Sequence, residues 1–239
     1  MKKLDVKSKI YCLICARGGS KGIKNKNIKR FQNKPLISWT INIAKKINFF
    51  DKIILSTDSK KIQKIGIKNK IIVPFLRPKK LSSNKAKEID VWKHCLNFYK
   101  DKDELPDYLV VLPPTAPLRK ISDISSSIKK IKKNKKADVL ISITEANRNP
   151  YFNIIEKKKN GFAKIVINEK QYFRRQDAPK VYDMTTVIFI VKTKFILRKK
   201  NIFEGNVITH YVPKSRSIDI DNLFDWKLAS YLFTKINKK

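Results

Sequence analysis

Two short segments carry residue types able to handle a polyphosphate: Cys15 to Ile28, reading Cys-Ala-Arg-Gly-Gly-Ser-Lys-Gly-Ile-Lys-Asn-Lys-Asn-Ile, and Ser217 to Asp221, reading Ser-Ile-Asp-Ile-Asp. In the first, Gly18, Gly19 and Gly22 let the backbone take positive φ and approach a ligand closely, so that amide N–H groups can converge on phosphate oxygens. Arg17 and Lys21 add full positive charge. Spacing excludes the two best-known phosphate loops. Lys21 precedes Gly22 with no hydroxyl residue after it, unlike a Walker loop, and Gly18 and Gly19 are adjacent, unlike the dinucleotide fingerprint. In the second segment an extended backbone puts Ser217, Asp219 and Asp221 on one face and anchors Ile218 and Ile220 on the other. Two carboxylates held together repel unless a cation sits beside them, and Mg²⁺ is commonly held by one or two carboxylates plus substrate phosphates. A helix cap at Asp221 would account for one aspartate and not for two, which favours metal.

The elements that must position these segments follow from apolar runs at Ile10–Cys15, Lys52–Ser56, Ile71–Leu76, Tyr108–Leu112 and Ala137–Ile143. They alternate with helix-compatible stretches at Leu36–Ile47, Lys60–Asn69, Ala86–Tyr99 and Ile121–Lys132, the last with Ser122 and Asp123 placed to cap it. Such alternation predicts an α/β fold with a mostly parallel sheet covered on both faces. Ligands of such sheets sit beyond the carboxyl ends of the strands. The loops there carry residues 16–26, Thr57-Asp58-Ser59, Arg77-Pro78 and residues 113–119. From about Asn147 the pattern changes to short segments at Tyr151–Ile155, Phe162–Ile167 and Thr186–Lys192, read as a small β-rich excursion over 147–192 within a single domain of 1–239. A strand near Val207–Val212 and an amphipathic helix at Leu223–Ile236 complete the chain.

Lys and Arg number 55 against 20 Asp and Glu, a formal net charge of +35. A field of that size attracts polyanions. The basic residues are spread along the chain and do not alternate with aromatic residues, so a solvated surface is favoured over a nucleic-acid footprint. A non-catalytic polyanion binder is kept as an alternative. No run reaches the roughly 18 apolar residues needed to cross a bilayer, and the amino-terminal stretch lacks a signal-peptide core, so a cytoplasmic protein without membrane attachment is expected. Cys12 and Cys15 have redox-like spacing, but on a strand their thiols face opposite sides; His94 and Cys95 are read as packing residues.

Two further loops are stiff and cationic. Residues 112–119, Leu-Pro-Pro-Thr-Ala-Pro-Leu-Arg, hold Arg119 at the end of a proline-braced turn, and residues 174–179, Arg-Arg-Gln-Asp-Ala-Pro, present two guanidinium groups. Taken in order, Ala-Arg-Gly-Gly-Ser-Lys-Gly-Ile, Ser-Thr-Asp-Ser, Arg-Pro, Pro-Thr-Ala-Pro-Leu-Arg, Arg-Arg-Gln-x-x-Pro and Ile-Asp-Ile-Asp resemble the acylneuraminate cytidylyltransferase family across residues 10–232. Pro113 stands where the sialic acid enzymes have Gln, and Asp183-Met184-Thr185-Thr186-Val187 stands where they have Arg-Pro-Asn-Gly-Ala. The resemblance is therefore closer to legionaminic-type relatives.

That resemblance implies a Rossmann-like nucleotide-diphospho-sugar transferase fold and a homodimer in which each chain's excursion completes the other's site. It implies transfer of CMP from CTP to an acidic nine-carbon sugar, with Mg²⁺, for surface-glycan synthesis. Carried onto this sequence, Ala16, Arg17, Gly18, Gly19, Ser20 and Lys21 would hold the triphosphate, Asn27 and Arg77 the cytidine, and Asp219 and Asp221 the metal. Thr115, Arg119, Arg175 and Gln176 would face the sugar, and Arg17, Lys21 and Asp221 would be catalytic. Within the same fold, a 3-deoxy-manno-octulosonate cytidylyltransferase is the competing expectation.

Overall fold

A computed structural model describes residues 8–237. The strands are β1 (Ile10–Cys15), β2 (Arg30–Phe31), β3 (Lys34–Pro35), β4 (Lys52–Ser56), β5 (Tyr108–Val111), β6 (Val139–Glu145), β7 (Ile155–Lys157), β8 (Ala163–Ile165), β9 (Tyr182–Lys192) and β10 (Val207–Tyr211). The helices are α1 (Leu36–Ala44), α2 (Lys60–Lys68), α3 (Glu88–Lys100), α4 (Ile121–Lys133), α5 (Thr193–Arg198) and α6 (Leu223–Asn237). Six strands form the central sheet in the order β10-β6-β9-β5-β1-β4. Neighbouring strands run parallel except β9, which is antiparallel to both β5 and β6.

Alternation along β1 explains the layering. Ile10, Cys12 and Ile14 pack with Ile37 and Ile41 of α1 and Ile124 and Ile128 of α4, while Tyr11 and Leu13 pack with Trp92, Cys95 and Leu96 of α3. Cys12 and Cys15 thus face opposite sides as expected, and both are free thiols. Burial pushes the Cys15 thiol up to about 12, away from the thiolate that redox chemistry needs. His94 packs edge-on against Phe75, with ring centroids 4.5 Å apart.

Three expectations are corrected. Residues 71–76 do not form a strand: Ile72 and Leu76 make only isolated parallel bridges to Ile54 and Thr57, because Pro74 between them has no N–H to give the ladder. The Thr186–Lys192 segment belongs to the central sheet and not to the excursion. Its apolar run, Val187-Ile188-Phe189-Ile190-Val191, is buried throughout, as suits a strand covered on both faces. What stands apart is the antiparallel pair β7–β8. Finally, Ser122 does not cap α4; the Asp123 carboxylate reaches back to accept from the Lys120 N–H at 2.8 Å and also pairs with Arg216 at 2.7 Å.

A third, smaller core bears most directly on function. Ile23, Phe31, Leu36, Leu118, Ile220 and Ala229 are buried together, with Ile218 and Trp226 packed against them. Phe31 lies edge-on to Trp226 at 5.4 Å, and Trp39 donates its indole N–H to the Phe31 carbonyl at 3.0 Å. This cluster joins the tail of the glycine-rich loop to the segment bearing Asp219 and Asp221, although some 200 residues separate them in sequence.

Candidate active site

Beyond the carboxyl end of β1 lies a cavity of about 600 Å³. The glycine-rich loop contributes Arg17, Ser20, Lys21, Gly22, Lys26 and Asn27 to its wall. Arg77, Thr115, Thr186, Asp219 and Asp221 also line it. The basic loop and the acid pair therefore share one space.

Close backbone contact sets the loop against the acids. A Cβ at Gly22 would lie 2.0 Å from the Asp221 carbonyl oxygen, so only glycine permits the approach. Positive φ is not what this loop's glycines supply: among the described residues the left-handed position there is Asn25, at φ 55°. Lys26, almost wholly buried, donates from Nζ to Asp221 Oδ1 at 2.9 Å and to the Ile220 carbonyl. Ile220 in turn donates its N–H to the Thr115 carbonyl at 2.9 Å, tying the acid segment to the turn after β5.

The other loop residues divide in their partners. Arg17 donates to Asn84 Oδ1 at 2.9 Å, and the buried Asn27 donates to the Arg17 carbonyl at 3.0 Å. Arg77, also buried, donates to Ser82 Oγ at 3.0 Å. Ala16, Gly18 and Gly19 do not line the cavity. The Ala16 N–H continues the sheet ladder to the Ser56 carbonyl, and the Gly18 N–H is taken by Asp58 Oδ1 at 2.9 Å. The Ala16 and Gly18 amides are thus committed to holding the loop on β4 and the turn that follows it.

The acid pair alternates with its apolar anchors as the sequence predicts. Ile220 is fully buried and Ile218 is packed against the same core, leaving Asp219 and Asp221 toward the cavity. Asp221 does not cap α6. Asn222 Oδ1 accepts from the Asp225 N–H, and the Asp225 carboxylate accepts from the Asp221 and Asn222 N–H groups, each at 3.0 Å. The Asp221 carboxylate is released from backbone duty. Burial pushes the Asp219 carboxyl above the usual carboxylate range; the Asp221 charge adds to this, while the Thr115 hydroxyl and Lys26 oppose it. Asp219 Oδ1 is buried with no hydrogen-bond partner. Among the described residues no group of three or more His, Cys, Asp or Glu could hold a metal by itself. Two carboxylates with one unpartnered oxygen fit a divalent cation whose remaining ligands are substrate oxygens.

The four residues expected at the sugar are separated within one chain. Thr115 lines the main cavity. Arg119 is 4% exposed and lies behind the wall, donating to the Pro113 carbonyl, with burial lowering its pKa to about 10. It therefore shapes the turn from behind. Arg175 and Gln176 line a second cavity of about 210 Å³ with Arg148, Asn149 and Lys180, and Arg175 donates to the Ala146 carbonyl at 2.9 Å. Thr186, in the stretch that departs from the sialic acid enzymes, lines this cavity, and so does Lys26, which no sequence pattern marks. Lys26 is one of 55 basic residues, and its burial was the missing signal.

Comparison with known proteins identifies the family. The family model described as cytidylyltransferase matches residues 11–214. Post-translational flagellin modification protein B of Campylobacter coli is 37% identical over 235 residues, spanning 96% of this chain and 97% of that protein. CMP-N,N′-diacetyllegionaminic acid synthase of Campylobacter jejuni is 33% identical over 231 residues, spanning 96% and 97%. Among solved structures, a CMP:2-keto-3-deoxy-manno-octonic acid synthetase complexed with CTP superposes with a TM-score of 0.73 at 12% identity, over 96% of this chain and 100% of that one, which establishes likeness of fold. The family match over residues 11–214 and relatives 33–37% identical along nearly their whole length place the chain in the cytidylyltransferase family of nucleotidyltransferases.

Proposed function

We propose that this enzyme transfers CMP from CTP to a nonulosonic acid of the legionaminic or sialic type, in the synthesis of a surface glycan. The observation that carries this reading is the shared cavity in which Lys26 bridges the cationic loop to Asp221. In the reaction, the anomeric hydroxyl oxygen of the sugar bonds to the α-phosphorus of CTP. The bond from that phosphorus to the bridging oxygen breaks, pyrophosphate departs with the electron pair, and the hydroxyl proton passes to solvent water. Positioning and charge neutralisation do most of the work in such transfers.

Arg17 and Lys21 would receive the triphosphate, with Ser20 beside them, and Asn27 and Arg77 the cytidine; all five line the cavity. Asp219 and Asp221 would hold Mg²⁺, which when bound neutralises developing phosphate charge. Lys26 keeps Asp221 compensated while substrate is absent. Thr115 lies on the sugar side, and Arg119 holds the Pro113 carbonyl that shapes it.

Arg175 and Gln176 would act across a homodimer. Ile155, Phe162 and Phe173 of the excursion are 61, 71 and 82% exposed, an apolar display that suits burial against a second copy. Among the described residues no helix is long and apolar enough to cross a membrane, and the reading places the enzyme in the cytoplasm.

Pyrophosphate release from CTP should be measured with N,N′-diacetyllegionaminic, N-acetylneuraminic and pseudaminic acids and 3-deoxy-manno-octulosonate. Mg²⁺-dependent release with one of the first three is expected. Release with the octulosonate alone would reassign the substrate to the competing sugar class, and silence throughout would overturn the reading.

A further inference from the structure

A third cavity, of about 760 Å³, shares no lining residue with the one beyond β1. Trp39 and Ile43 of α1, Leu118, and Phe233 and Ile236 of α6 supply its apolar wall. Lys34, Lys45, Lys46 and Lys120 supply charge, and among the described residues that line it none is acidic. Small-molecule sites have this size and this make-up, mostly apolar with a few polar groups.

In a chain with 55 basic residues a lysine rim is weak evidence by itself, and Arg119 is stronger. Arg119 borders this cavity and not the one beyond β1. Its Nη2 donates to the Pro113 carbonyl, while Nε and Nη1, both buried, have no hydrogen-bond partner. The charges of Asp123 and Asp219 reach the guanidinium, but burial outweighs them. A buried cation that is incompletely paired is costly, and an anion in the space beside it lowers that cost. The lysines narrow where an anion would sit. Lys45 donates to the Asn69 carbonyl at 3.2 Å, and Lys34 Nζ lies over the Trp39 ring, 4.3 Å from its centroid. The Lys46 and Lys120 ammonium groups have no partner among the described residues.

The aromatic residues bear on the body that accompanies the charge. Trp39 and Phe233 pack edge-on with centroids 4.5 Å apart, a closed pair with no slot for a nucleobase. Ile43, Leu118 and Ile236 are left to receive an aliphatic chain. A monoanionic head also costs less to take out of water than a phosphate dianion. We propose that this cavity binds a small aliphatic carboxylate, its chain against Ile43, Leu118 and Ile236 and its head among Lys46, Lys120 and Arg119.

The test is calorimetric titration of the full chain with octanoate, kept below its micellar concentration. Saturable binding of one octanoate per chain is expected, with octyl phosphate binding more weakly. Lys46→Glu combined with Lys120→Glu should weaken octanoate about tenfold. Lys61→Glu combined with Lys64→Glu changes net charge equally at exposed positions of α2 outside the cavity, and should leave binding unchanged. Lys46→Ala combined with Lys120→Ala replaces the first pair should it not fold, with a smaller loss expected. Absence of saturable octanoate binding overturns the proposal. So does equal weakening by the two glutamate pairs, which would mark diffuse attraction to a chain of net charge +35, and so does tighter binding of octyl phosphate than of octanoate.

Discussion

Gly22 lies so close to Asp221 that a Cβ on it would come within 2.0 Å of the Asp221 carbonyl oxygen. The glycine-rich loop and the acid segment are thus fitted backbone to backbone. In Gly22→Ala one of the two segments must move. We expect a destabilisation of about 1–3 kcal/mol, read as a lower thermal midpoint, and a larger proportional loss of kcat/KM than of stability. Full activity in this variant would mean that the two segments do not need to meet.

Lys26 and Asp221 form an ion pair on the cavity wall, with the lysine buried and the aspartate 72% exposed. Lys26→Met should lower kcat/KM on the order of a hundredfold through loss of a positioned charge. Asp221→Asn should abolish Mg²⁺-dependent turnover. Both should retain the parent circular dichroism spectrum, since α6 is capped by Asn222 and Asp225 without help from Asp221.

Asp219 sets a pH dependence of opposite sign to that of a paired surface carboxylate. Burial raises its native pKa above the unfolded value of 3.8, so its contribution to stability is complete below pH 3.8 and is lost as pH climbs through the native pKa. Asp219→Asn should therefore melt higher than the parent at pH 7, with the advantage shrinking toward pH 4, while turnover disappears. A lower melting point at pH 7 would contradict the burial argument.

The exposed excursion offers a direct test of the homodimer. Phe162→Asp combined with Phe173→Asp should halve the mass found by light scattering and depress activity. An unchanged mass, or a monomeric parent, would remove Arg175 and Gln176 from the working site.

Much of this architecture is legible in the sequence where a local pattern reports a local cause. Alternation in Ile10–Cys15 gives a two-faced strand, and Ile218 and Ile220 flank Asp219 with apolar anchors. Reading fails where the cause is distant. Val187–Val191 has the composition of a fully buried strand, but its antiparallel placement between β5 and β6 depends on partners some 80 and 50 residues earlier. Lys26 resembles every other lysine until Ile220 and Asp221 close over it. Arg119 is expected to face the sugar and is instead a buried brace. Asn222 competes with Asp221 for the capping role, and only the fold decides between neighbours.

Among the described residues, β9 is the strand whose ladders join the pair β10-β6 to the trio β5-β1-β4. A nascent chain can complete the trio from residues 10–111, yet the two halves have no common ladder until residue 192 has been made. Thr186 is carried by that joining strand, so this wall of the cavity is finished in the same late event that unites the sheet. Residues of the glycine-rich loop await the opposite wall of the cavity during synthesis, and any lesion that loosens β9 loosens the sheet and that wall at once.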